Sequence, residues 1–211
     1  MIAAPELVVQ ATLQTGFQGF VNDSTDLQEI FSGSGRSAAE INDIVTYFTE
    51  NIPPVLFGFP KMPPAGFGAI AVSLTSDKED AARQFIGSDP PIDLDLGATP
   101  LVGTISRAAV KITVLSIDYL KAAYLSILVK WILLGNRLQM EENFGLMEQV
   151  ISMTDILPDP RFAQDFVFRR DMLMETTKID VVELENPAFD LEHITAQPEV
   201  SIDPSFEFTE P

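Results

Sequence analysis

The longest apolar segment of the chain, Tyr119 to Leu134, is 16 residues long and holds only Lys121 and Lys130 as charged residues. A membrane-spanning helix needs about 20 predominantly apolar residues, so this segment predicts a buried helix and no membrane role. Because nearly every side of it is apolar, it must lie between a sheet and a second surface, either the remaining helices or a neighbouring subunit. The chain just before it, Gly103 to Ile117, alternates as one long strand. Val110, Ile112 and Val114 face one side, and Lys111, Thr113 and Leu115 the other. Asp118 stands at the helix start, where free N–H groups favour a carboxylate, and Gly135-Asn136 is a stop signal.

Around this centre the pattern reads as helices, strands, the central helix, then strands. Pro5 suits a first helical turn and opens a helix over about 5 to 18; Asp26 to Phe31 add a turn or two before Ser32-Gly33-Ser34-Gly35. Ser37 and Glu40 have the spacing of a capping box, which predicts a helix over 38 to 49, ended before Pro53-Pro54. Val55 to Phe59 is a short strand candidate, and Phe67 to Thr75 a second one. Ser76 to Gln84 is a loop or short helix. Arg137 to Phe144 makes a short helix, Gly145 a turn, and about 147 to 154 a strand. Pro158-Asp159-Pro160 reads as an exposed loop, and Asp165 to Val182 as strand material bent near Glu175-Thr176-Thr177. The whole predicts an α+β fold, a mainly antiparallel sheet packed by helices, in one domain over 1–182 with an N-terminal helical elaboration.

Residues 183–211 differ in kind. They contain eight acidic residues and no lysine or arginine, with Pro187, Pro198, Pro204 and Pro211 preventing a long regular element. Phe189, Ile194, Phe206 and Phe208 recur between the charges. Such an extended acidic tail either stays mobile or lies along a partner with those residues as spaced anchors.

The whole chain carries 31 acidic against 13 basic residues, a formal net charge of -18. That balance disfavours a general phosphate-backbone binder, whose affinity comes from lysine and arginine. It suits either solubility or a passage along which DNA slides without being held. The absence of cysteine excludes disulfides, thiol catalysis and thiolate metal sites. The start, Met1 to Glu6, lacks the basic and apolar regions of a signal peptide.

Candidate chemistry is sparse. His193 is the only histidine and falls in the acidic tail, so a histidine-dependent triad within one chain is not expected. Asp93 with Asp95, and Asp155 with Asp159, are carboxylate pairs able to offer oxygen ligands, but neither has a metal-loop pattern. Gly33 and Gly35 lack both the preceding strand and the lysine of a phosphate-binding loop. No catalytic residue, metal or cofactor is assigned, and the chain is not expected to be an enzyme. Basic residues instead cluster by position: Arg107, Lys111, Lys121, Lys130 and Arg137 surround one acid, Asp118, and Arg169 adjoins Arg170. Lys111 and Lys121 read as ordinary surface lysines. Neighbouring strand residues point to opposite faces, so at least one of Arg169 and Arg170 must leave solvent or reach an edge, which marks the pair as interface candidates.

The order from Val110 through the Trp131 helix, the Arg137 to Gly145 connector and the strand region up to Leu173, with Asn143-Phe144-Gly145-Leu146 and Phe168-Arg169-Arg170, resembles tail-terminator and neck (head-tail joining) proteins of tailed bacteriophages over about residues 100 to 182. The resemblance implies a structural virion protein, assembled in the host cytoplasm, that closes as a hexameric ring capping the tail tube. Its implied partners are copies of itself, the tube, and a connector or neck protein, with a sheath as a further candidate; DNA would pass nearby without specific binding. The long N-terminal region and the acidic tail depart from the compact family pattern. A monomeric or dimeric peptide- or protein-binding module, using the apolar residues of the tail, is the alternative reading.

Overall fold

The computed structural model describes residues 4–61, 68–79, 101–162 and 166–183. Three helices come first: α1 (Pro5–Asn22), α2 (Thr25–Ser32) and α3 (Ala38–Glu50). Pro5 sits in the first turn of α1, where its missing N–H costs nothing. The capping box of α3 forms as the Ser37/Glu40 spacing predicts, with each side chain bonding the other's backbone N–H. Gly33 to Gly35 make the turn joining α2 to α3.

The strands are β1 (Val55–Phe57), β2 (Ala69–Glu79), β3 (Leu101–Ser116), β4 (Leu146–Met153), β5 (Leu157–Pro158) and β6 (Phe168–Glu183), with α4 (Tyr119–Gly135) and α5 (Arg137–Phe144) between β3 and β4. The main sheet runs β1-β2-β3-β6-β4, with β5 on β6. Among the described strands, β1 and β2 alone pair in parallel. This is a mixed α+β fold with an open, mostly antiparallel sheet packed by helices.

The core lies between the helices and one sheet face. Val8, Val9, Leu13 and Phe17 of α1 and Leu125, Leu128, Val129 and Ile132 of α4 pack with Val110, Ile112 and Val114 of β3 and Met172 and Met174 of β6. Helix α4 is sandwiched as its composition requires, between the sheet and α1. The approach is close at Gly16, where an added Cβ would stand 2.5 Å from the Ile132 side chain. Asp118 caps α4 by accepting from the backbone N–H groups of Leu120 and Lys121, and Gly145, at φ +67°, ends α5 in the left-handed conformation.

Several local expectations are corrected. Ser76 to Glu79 is neither loop nor helix but the end of β2, made possible by a bulge at Thr75. The bend foreseen in β6 near Glu175 to Thr177 falls instead on its partner. β6 pairs without a break with β3, whereas β4 inserts Glu148 and Gln149 opposite Thr176. Glu148 takes φ +50°, and the buried Gln149 amide donates to the carbonyls of Leu146 and Arg137, so the extra residues form a bulge held by its own side chain. Pro158-Asp159-Pro160 is no plain exposed loop. Its prolines are exposed, but Asp159 is 1% exposed, and the segment contributes β5 and a 3-10 turn at Pro160–Phe162. The acidic tail beyond Glu183, with Phe189, His193, Ile194, Phe206 and Phe208, and the pair Asp93 and Asp95 lie outside the described residues.

Among the described residues the β3–β6 ladder is longer than the strands beside it. It holds 16 residue pairs, from Leu101 with Glu183 to Ser116 with Phe168. At about 3.3 Å per residue that is roughly 50 Å. The described part of β2 reaches Ser106, and β4 reaches Lys178. Among the described residues, the last five pairs, Leu101 to Ile105 with Ile179 to Glu183, therefore project as a two-stranded ribbon.

Candidate interaction surface

Alternation along the strands decides what the second sheet face carries. With Val110, Ile112 and Val114 turned to the helices, Lys111, Thr113 and Leu115 of β3 face the other way. They are joined by Ala71 and Ser73 of β2 and by Arg169 and Asp171 of β6, which are paired with β3 in the same register. Small side chains on β2 leave room above the sheet. Phe59, just after β1, and Arg161, from the 3-10 turn, overhang that room and close a cavity of about 200 Å³ over Ala71, Ser73, Lys111, Thr113 and Arg169. A second, smaller apolar cluster of Leu115, Phe162 and Val167, with Phe59 packed on it, anchors both overhanging segments. The rings of Phe59 and Phe162 stack with centroids 5.9 Å apart.

Three cations line this place, Lys111, Arg161 and Arg169, and two carboxylates hold them from behind. Arg161 embraces the buried Asp159 with two side-chain bonds, Nε to Oδ1 at 3.1 Å and Nη2 to Oδ2 at 2.9 Å, and its backbone N–H donates to Oδ1 at 2.9 Å. Its guanidinium carbon also lies 3.3 Å from the centre of the Phe59 ring, a cation–π contact. Arg169 binds Asp171 through Nε and Nη2 and approaches Asp159 at 3.8 Å. Asp171 further accepts from Thr113 Oγ1 at 2.8 Å and meets Lys111 Nζ at 3.1 Å.

Burial pushes the carboxyls of Asp159 and Asp171 up. The hydrogen bonds and positive charges around them outweigh it and hold both below the usual carboxylate range. The hydrogen bond to Asp171 raises the Arg169 pKa, so that side chain stays charged.

Arg169 and Arg170 do part to opposite sides. Arg169 enters the cavity, while Arg170 Nε reaches the carbonyl of Thr154 at the end of β4, at 2.9 Å. Lys111, expected to be an ordinary surface lysine, is half-buried against Asp171, and Lys121 lies 4.4 Å over the Tyr47 ring. Asp155 and Asp159 do not make an oxygen-ligand loop, because Asp159 turns inward to Arg161 and Asp155 stays exposed. Among the described residues no group of three or more potential metal ligands occurs. Phe59, Arg161 and Asp171 were not singled out by sequence reasoning, and Asp159 was singled out only as a partner of Asp155. The Arg169/Asp171 and Lys111/Thr113 spacings, each two apart on a strand, carry half of the signal; the arrival of Phe59 and Arg161 from distant segments carries no local one.

A second surface lies on the outer side of α4. Leu120, Ile127, Trp131 and Leu134 recur at intervals of seven, four and three and remain 51, 44, 40 and 45% exposed, a stripe on one side of the helix. Beside it, Ile44, Tyr47 and Phe48 of α3 and Lys121 and Tyr124 of α4 enclose an apolar groove of about 230 Å³. No helix among the described residues is long and apolar enough to cross a membrane. Neither a protein-family model nor a curated protein sequence matches this chain.

Proposed function

We propose that this chain is a structural protein of the neck or tail terminator of a tailed bacteriophage, closing with copies of itself into a hexameric ring that caps the tail tube and joins it to the head connector. The observation that carries this reading is the ribbon that β3 and β6 form, among the described residues, beyond the ends of β2 and β4. A two-stranded ribbon is marginal by itself in water, and a strand edge is a ready template for pairing with another chain. The exposed apolar stripe of α4 supports the same reading, since a neighbour that covers it removes the cost of leaving it in water. Ring closure repeats each such contact around the symmetry axis, and a head-to-tail contact whose rotation closes gives a ring. Net charge -18 suits a channel through which DNA passes without adhering. Arg169, Arg170 and the acidic tail, with Phe189, Ile194, Phe206 and Phe208 as anchors, are assigned to contacts between subunits or with the neck. No residue is given a catalytic role.

The test is the native mass of the purified full chain over a range of concentrations, alone and with tail tubes added, followed by electron cryomicroscopy of the particle. A six-fold mass or a ring at the tube end supports the reading. A monomer under every condition, absent from the particle, sinks it. The alternative, a monomeric or dimeric peptide-binding module, is favoured by the apolar groove between α3 and α4. It predicts a concentration-independent monomer or dimer.

A further inference from the structure

We propose that the cavity under Phe59 and Arg161 receives the acidic-aromatic segment Phe189-Asp190-Leu191-Glu192 of a neighbouring copy. The inference rests on the ring reading for the presence of that neighbour.

The first argument is charge. In a chain of net charge -18, this cavity gathers Lys111, Arg161 and Arg169, which among the described residues are paired with two carboxylates, Asp159 and Asp171. Two guanidinium groups and an ammonium carry more N–H donors than two carboxylates accept, and Thr113 already occupies one acceptor position on Asp171. The lysine and both arginines keep a quarter to a half of their side-chain surface exposed. An incoming carboxylate thus finds charged donors held in place, and the Phe59 ring offers an apolar wall beside them.

The second argument is fit. Acidic and apolar residues alternate from Phe189 to Glu192, so in extended form the two acids lie on one side and Phe189 and Leu191 on the other. That pattern matches cations on the floor and an aromatic ring at the rim.

The third argument is reach. Arg169 stands at the start of β6 and Glu183 at its end, roughly 46 Å apart at about 3.3 Å per residue. Phe189 follows Glu183 by six residues, which span at most about 22 Å. With Phe189 seated against Phe59, at the Arg169 end of the cavity, the segment cannot come from the same chain. A second copy must receive it, and donor end and receiving end lie at opposite ends of one ladder, the head-to-tail arrangement that a ring requires.

The experiment uses the full chain with the photocrosslinker p-benzoylphenylalanine at position 189, mixed from isotopically heavy and light preparations and analysed by mass spectrometry. The expected products are heavy–light links from position 189 to residues 59–61 or 161–162. Asp190→Asn with Glu192→Gln, changes confined to the tail, should lower their yield roughly fivefold. Lys111→Glu should lower it likewise, with partial recovery when Asp190→Lys is added. Links confined to one chain, links elsewhere, or a yield indifferent to these charges would overturn the proposal. Native mass on the same samples separates the two readings: a six-fold particle without these links defeats the docking and leaves the ring, whereas heavy–light links in a smaller species defeat the ring and leave the docking.

Discussion

Replacing Asp159 by asparagine keeps the volume of the side chain and removes its charge. In the native cavity that carboxylate accepts two bonds from the Arg161 side chain and one from its backbone, with Arg169 a further 3.8 Å away. The amide can still accept on one oxygen, but its NH2 group then faces a guanidinium donor. Breaking a buried pair by removing one partner costs about 3–5 kcal/mol. Arg161 is 46% exposed, and water recovers part of its solvation, so about 2–3 kcal/mol is expected near pH 7. At roughly 2–4 °C per kcal/mol for a chain of this size, Tm falls by about 5–10 °C.

The pH dependence has a definite sign. The folded pKa of Asp159 is depressed, so its stabilisation is fully present above the unfolded value, near 3.9, and is lost as pH falls through the folded pKa. Thermal unfolding of both proteins by circular dichroism, from pH 7 down to about pH 2, should show the gap between them closing at the acid end. A gap unchanged across that range would refute the electrostatic account, as would no gap at pH 7.

Gly68 adopts φ +99°, and a Cβ there would meet the backbone oxygen of Leu115 at 2.6 Å; Gly68→Ala should cost about 2–4 kcal/mol in urea unfolding. Gly16→Ala should cost about 1–3 kcal/mol, and because the obstacle is the Ile132 side chain, the double change with Ile132→Ala should cost less than the sum of the two. Ile127→Ser with Leu134→Ser should leave the unfolding free energy within about 1 kcal/mol, both positions being exposed, while lowering the native mass of the assembly. Deleting residues 184–211 should abolish assembly before it affects subunit folding, read by native mass and circular dichroism together.

The elements whose signals are local could be read directly from the order of residues. The capping box at Ser37 and Glu40, the alternation through Val110 to Leu115, and the uniformly apolar run after Asp118 each report on neighbours within a turn or a strand pair, and α3, β3 and α4 form where those signals place them. The order of residues also made legible that Arg169 and Arg170 part to opposite faces. The features that escaped such a reading involve groups distant along the chain. A bulge shifts register by satisfying side chains on other elements, as Gln149 does with Arg137, so its location in β4 rather than β6 depends on partners no local pattern names. The burial of Asp159 between two prolines follows from Arg161 and Arg169 being brought to it. The cavity exists because Phe59, from before β2, and Arg161, from after β5, meet above β3, and that meeting is set by sheet order, which the spacing of residues along one chain does not encode.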